Sequence, residues 1–283
     1  MAADTTAFVF AGGGSLGAVQ VGMLRVLTEA GLRPDFIVGS SVGALNAGFF
    51  AGDPTSGGVE RLGEIWRSLR RRDIFPLTLG AALKWLGPTE ALCDSGGLRR
   101  LIERNLPYRQ LEDAAVPLHV VATNFGGETV RLSSGPAPEA ILASAAIPMV
   151  FPSVEVGGER LIDGAISGNT PILTAAELGA SRIIVLPTGF ACTLGTAPKG
   201  AIARGFHALT LLITHQMVRD LATLAGRVEV YTAPPLCPLD VSPFDFSHTE
   251  ALMNRAADHT RRWLEADGLS RQEIPGELIA HSH

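Results

Sequence analysis

No apolar run among the 283 residues reaches the roughly 20 that a membrane-spanning helix needs. Contact with a lipid surface is therefore expected to be peripheral. The opening stretch, MAADTTAFVF, lacks a basic segment followed by a long apolar one, so it does not read as a secretory leader, and a cytoplasmic location is expected. Cysteine is scarce: Cys93, Cys192 and Cys237 lie far apart with no C-x-x-C pair, which argues against a disulfide framework and for reduced, buried thiols. Charge is scarce too. Only 18% of residues are Asp, Glu, Lys or Arg, and the net charge of −5 offers no basic face for a nucleic acid. No H-E-x-x-H or comparable ligand spacing supports a metal site. With no charged or Pro/Ser-rich linker and no internal repeat, a single domain over 1–283 is expected.

What is present is a chain 46% hydrophobic with 32 glycines, the composition of a well-buried, loop-rich globular protein. AFVFA (7–11) reads as a buried strand. Leu16, Val19, Met23, Leu24 and Leu27 recur at helical spacing, with Gly31 as the cap. Phe36 to Val38 forms a second strand, followed by a helix over about 42–51. Two strands each followed by a helix make a βαβ unit, hence a parallel sheet with helices packed on it. Further helices are predicted over 58–71, 96–105, 138–145, 203–224 and 248–266, and strands over 118–123, 182–187 and 228–233. The apolar but Pro- and Gly-interrupted stretch 74–93 fits either a short buried helix with a loop or a flap over the site.

The pattern G-x-S-x-G occurs twice, at Gly13–Gly17 around Ser15 and at Gly39–Gly43 around Ser41, each between a strand and a helix. That context suits a nucleophile elbow. Acyl transfer also needs backbone N–H donors aimed at the developing oxyanion. Gly12-Gly13-Gly14 has no side chains to block approach and lies beside a helix N-terminus, which favours negative charge. It is the better oxyanion loop, which leaves Ser41 as nucleophile and Ser15 as the alternative. Gly12, Gly14 and Gly17 also fit the dinucleotide fingerprint G-x-G-x-x-G. Asp35, however, precedes the second strand instead of ending it, so the ribose would lack its partner.

An elbow serine is normally served by a histidine. His207 and His215 fall within a predicted helix, His119 opens a strand at the wrong edge, and His259, His281 and His283 sit late in the chain. His248 is the least unsuitable. A desolvated carboxylate can instead take the serine proton directly. Asp163 is the best candidate, ending the strand RLI and opening the turn DGAISGN.

Three motifs in this order, Gly12-Gly13-Gly14-Ser15-Leu16-Gly17, Gly39-Ser40-Ser41-Val42-Gly43 and Asp163-Gly164-Ala165, together with Pro148, Phe151, Asn169 and Pro171, resemble the patatin-like phospholipases. The likeness is carried by about residues 7–187. It implies a three-layer α/β fold, a modified α/β-hydrolase with a mostly parallel central sheet flanked by helices. It also implies a Ser41–Asp163 dyad without histidine, an oxyanion hole from Gly12, Gly13 and Gly14, no cofactor, and a lipid ester such as a phospholipid or acylglycerol as substrate. One departure stands out: the family commonly carries Lys or Arg where this chain has Leu16. A catalytically weak lipid-binding or regulatory protein on the same fold is the alternative that Leu16 supports.

Overall fold

Strands that are apolar on both faces must be covered on both faces, and AFVF, FIVGS and RIIVL are such strands. The computed structural model describes residues 4–75, 91–189, 201–272 and 274–278. In it β1 (Thr6–Phe10), β2 (Phe36–Ser40), β3 (Leu118–Asn124), β7 (Arg182–Leu186) and β8 (Glu229–Thr232) pair in parallel, in the order β3-β2-β1-β7-β8. Three antiparallel strands complete the sheet beside β3: β4 (Thr129–Leu132), β5 (Val154–Val156) and β6 (Glu159–Asp163).

Alternate residues of β1 face opposite helical layers, as strand geometry requires. Phe8 and Phe10 bury against α1 (Ala18–Glu29), α2 (Val42–Gly52), α3 (Ser56–Ser68) and the late helix Thr249–Glu265. Ala7 and Val9 face Ile172–Glu177 and Ala201–Leu224. The result is helix on sheet on helix, a mixed α/β fold with a mostly parallel sheet. Among the described residues no helix is long and apolar enough to cross a membrane. Cys93 and Cys237 are half-buried and in no disulfide; Cys192 lies outside the described residues.

Helix ends follow local chemistry. Gly31 (φ 78°) closes α1, its N–H reaching the Thr28 carbonyl while that of Leu32 reaches Leu27, a Schellman pair. The helix expected over 58–71 starts earlier and stops earlier. Thr55 caps it by accepting the Gly58 N–H at 3.1 Å. The chain leaves the helix at Leu69, whose side chain is buried, before the short turn α4 (Arg71–Ile74). The basic run RSLRRR is thus split. Most of the stretch 74–93 lies outside the described residues. α5 (Gly96–Asn105) and α6 (Ala137–Ser144) match expectation, whereas α7 (Ala165–Gly168) and α8 (Ile172–Glu177) were not predicted, being short and flanked by turn residues.

The pairing around β3 decides where the functional side chains meet. Val120 and Val121 pair with β2 or its flank on one edge and with β4 on the other, through Gly39↔Val120, Ser40↔Val121, Val120↔Leu132 and Val121↔Arg131. β4 continues along that second edge to Ala122 and Thr123, so β6, which pairs Asp163 with Ala122 and Ile162 with Thr123, must occupy the edge that β2 has left. β2 and β6 therefore run toward each other end to end. The β5–β6 hairpin turns through Gly157 (φ 62°) and Gly158 (φ 85°), a glycine pair suited to a two-residue turn with positive φ at both positions.

α2 is buried almost throughout and passes so close to β1 that a Cβ on Gly43 would lie 2.3 Å from the Phe10 carbonyl oxygen. Gly43→Ala is expected to lower stability by about 1–3 kcal/mol through overpacking, read as a fall in the urea midpoint without a change in slope.

Candidate active site

β2 gives way abruptly. Ser41 adopts φ 55° and ψ −128°, a region that residues with side chains rarely occupy, and α2 begins at the next residue. Strain of this kind costs about 1–3 kcal/mol and persists only where the surroundings fix it. The Ser41 N–H donates to Ser144 Oγ (2.8 Å), which donates in turn to the Val121 carbonyl (2.5 Å). The Ser41 carbonyl accepts from the amides of Ala44 and Leu45, starting the helix. Gly39 leaves room for that turn, since a Cβ there would lie 2.7 Å from Ala44 Cα.

Asp163 arrives from the other side of the seam. Ser41 Oγ donates to Asp163 Oδ2 at 2.7 Å, and the Ala165 N–H donates to Oδ1 at 2.8 Å. Both carboxylate oxygens are thereby oriented. The backbone is held by Asp163 N–H to the Ala146 carbonyl (3.0 Å) and Gly164 N–H to that of Ser144 (3.0 Å). Gly164 sits so near the Val121 carbonyl that no side chain fits. Burial pushes the Asp163 carboxyl up to about 7, against the opposing pull of the Ala165 amide and the Ser41 hydroxyl. Among the described residues no histidine bonds to either side chain. His119 Nδ1 lies 2.8 Å from Ser133 Oγ, and His248 is exposed near Asp245.

The glycine loop corrects one expectation. The Gly12 N–H is taken by the Asn169 carbonyl (3.0 Å), so Gly12 has no amide left for a substrate. The reason is its place two residues past the end of β1, where its neighbour is Asn169 at the end of the short helix α7. The amides of Gly13 (φ 157°) and Gly14 (φ 60°) make no hydrogen bond among the described residues. Val42, the first residue of α2, adds an orphan N–H of the kind found at every helix start, which the sequence reading missed. Ser15 is buried, its Oγ donating to the Ser242 carbonyl at 3.1 Å, so it does not face the site. Asp35 accepts the Thr6 N–H at 2.7 Å, at the edge opposite the loop, as a dinucleotide site would not have it.

Next to Ser41 opens a pocket of about 470 Å³ of empty space, part of it continuous with solvent. Its side-chain walls are apolar apart from the serine, with Leu45, Trp66, Leu98, Ile147, Phe151 and Phe246 among them. Trp66 stacks on Phe246 (6.1 Å between centroids) and Phe75 on Phe151 (5.4 Å).

The patatin-like phospholipase family model matches residues 8–176, a span that holds the glycine loop, the elbow and the carboxylate. The chain belongs to the patatin-like phospholipase family. Curated patatin-like relatives include patatin-like phospholipase domain-containing protein 7 of Rattus norvegicus, 27% identical over 192 residues that cover 66% of this chain and 14% of that protein. Lysophospholipase NTE1 of Saccharomyces cerevisiae is 24% identical over 300 residues, covering 95% of this chain and 17% of that protein. The chain thus spans only a small part of the length of these relatives. Similar solved structures are VipD of Legionella pneumophila (TM-score 0.47, 16% identity, 93% of this chain and 67% of that one) and human GIVD cytosolic phospholipase A2 (TM-score 0.49, 13% identity, 95% and 58%). At the position where patatin-like loops commonly carry a cation, Leu16 is 1% exposed and belongs to the core.

The raised Asp163 carboxyl has a consequence for stability. A carboxyl whose pKa is higher folded than unfolded stabilises the fold below its unfolded value near 4, and that contribution is lost as pH rises through the folded value of about 7. Asp163→Asn removes the buried charge and is expected to raise the thermal midpoint at pH 8. The gain has an upper limit on the order of 4 kcal/mol at 1.36 per unit, and it should shrink to nothing as pH approaches 4.

Proposed function

We propose that the protein is a serine lipid acyl hydrolase of the phospholipase A type, working through Ser41 and Asp163. The observation that carries this reading is the 2.7 Å hydrogen bond to a buried carboxylate from the Oγ of Ser41, a residue that lines an apolar pocket. Ionised Asp163 takes the hydroxyl proton as Ser41 Oγ attacks the ester carbonyl. Charge that develops on the carbonyl oxygen meets the amides of Gly13 and Gly14, with that of Val42 at the helix start. Asp163 then gives its proton to the departing alcohol oxygen, leaving the acyl group on Ser41. A water molecule loses a proton to Asp163 and attacks the acyl carbon, and the proton returns to Ser41 Oγ as the fatty acid leaves.

Burial does here what an imidazole does elsewhere, bringing the base close to neutrality, where proton transfer is best matched. With Leu16 in the core, oxyanion stabilisation rests on backbone donors. The apolar pocket beside Ser41 suits an acyl chain. The name of the yeast relative makes single-chain phospholipids the first substrates to assay.

Incubation with a fluorophosphonate probe is expected to label Ser41; labelling at Ser15 or no labelling would overturn the reading. On a short-chain p-nitrophenyl ester, Ser41→Ala and Asp163→Asn should each lose at least about 10³-fold in kcat. Equal turnover by wild type and Ser41→Ala would favour a lipid-binding protein instead. Because the base must be ionised, kcat/KM should climb with pH through about 7 and level off above it. A profile already flat from pH 5 would exclude Asp163 as the titrating base.

A further inference from the structure

Behind the site lies a chain of buried polar side chains that the chemistry above does not use. Gln20 on α1 and Asn46 on α2 are 0% exposed, and Trp66 on α3 is 1% exposed. Trp66 Nε1 donates to Asn46 Oδ1 (2.8 Å). Asn46 Nδ2 donates to Gln20 Oε1 (2.7 Å) and to the Gly17 carbonyl (2.9 Å). Gln20 Nε2 donates to the carbonyls of Ala11 (2.8 Å) and Leu186 (2.9 Å). Both protons of each carboxamide nitrogen are used, both carboxamide oxygens accept, and the indole N–H is satisfied.

The places these bonds end are not random. Ala11 directly precedes Gly12, and Gly17 closes the turn that contains Gly14, so the network grips the glycine loop at both ends. Its other anchor, Asn46, rides on the helix that Ser41 begins. Contact adds to the grip: a Cβ on Gly17 would lie 2.7 Å from Val42 Cγ2 and 2.9 Å from Trp66 Cζ2, leaving no slack between loop and elbow. A buried polar network of this kind adds little net stability over apolar residues of the same shape, but it permits only one arrangement of its members.

We propose that Gln20, Asn46 and Trp66 are positioning residues that hold the Gly13–Gly14 amides at a fixed distance from Ser41 Oγ. The proposal rests on the reading of Ser41 as nucleophile and of the loop as its oxyanion hole. Trp66 also forms a wall of the apolar pocket. The link from acyl site to oxyanion loop therefore passes through one indole.

The test uses Trp66→Phe, which deletes the N–H but keeps a ring to stack on Phe246, and Gln20→Met, which deletes both donors at nearly constant shape. Sites are titrated with the fluorophosphonate probe, and kcat and KM are measured per titrated site on a short-chain p-nitrophenyl ester, too small to fill the pocket. Misplaced oxyanion donors should lower kcat about 10–100-fold while KM changes less than about twofold. A kcat within about fivefold of wild type, whatever the thermal midpoint does, would show that the network serves only the fold and would overturn the proposal. A rise in KM at unchanged kcat would overturn it as well, by assigning Trp66 to the pocket wall alone. If Gln20→Met yields no folded protein, Trp66→Phe decides. Wild-type protein that resists labelling at Ser41 would instead sink the nucleophile reading and be distinguishable on that ground.

Discussion

Two strands that run toward each other share one edge of β3. β2 holds that edge as far as Val121, and β6 holds it from Ala122 onward. Neither can extend without displacing the other, so β2 must turn away, and Ser41 is the residue at which it turns. The carboxylate of the oncoming strand ends at the same place. The meeting of hydroxyl and carboxylate is thus a result of strand register. The elbow strain, the Ser144 anchor and the glycines at 39, 43 and 164 all serve to let two chain segments and a helix occupy one crowded point.

That point is unfavourable to the fold on two counts. A serine sits at positive φ and a carboxylate is buried. Each departure is offset locally: backbone and hydroxyl donors satisfy both carboxylate oxygens, and Ser144 ties the strained amide to β3. Rules of local structure are broken most often where a chain does chemistry, and both breaches here fall on two adjoining residues.

Much of this was legible in the sequence. Ser41 and Asp163 sit in short motifs whose spacing against strand and helix signals is local information, and the α/β layering follows from apolar runs alternating with helical periodicity. What stayed hidden was long-range. Nothing near Gly12 announces that its amide bonds to Asn169, and nothing near Ser144 says that its hydroxyl supports a turn far earlier in the chain. The third helix runs over Ser56–Ser68 instead of 58–71 because Thr55 caps its start and Leu69 turns extended at its end, buried against residues distant in sequence. The helices at Ala165–Gly168 and Ile172–Glu177 escaped because Gly, Asn and Pro between them read as loop.

The hairpin that carries Asp163 has a meaning beyond its own geometry. Side chains along a strand alternate between faces, so sliding β6 by a single residue against β3 would swing the carboxylate to the far side of the sheet and bring an isoleucine to the serine. That alignment is carried by the pairing of β6 with β3 itself, which sets Ile162 opposite Thr123 and Leu161 opposite Asn124. Two apolar residues of β6 thereby choose which side chain arrives at Ser41, and one residue inserted between them would carry the carboxylate away while leaving every glycine motif in the sequence intact.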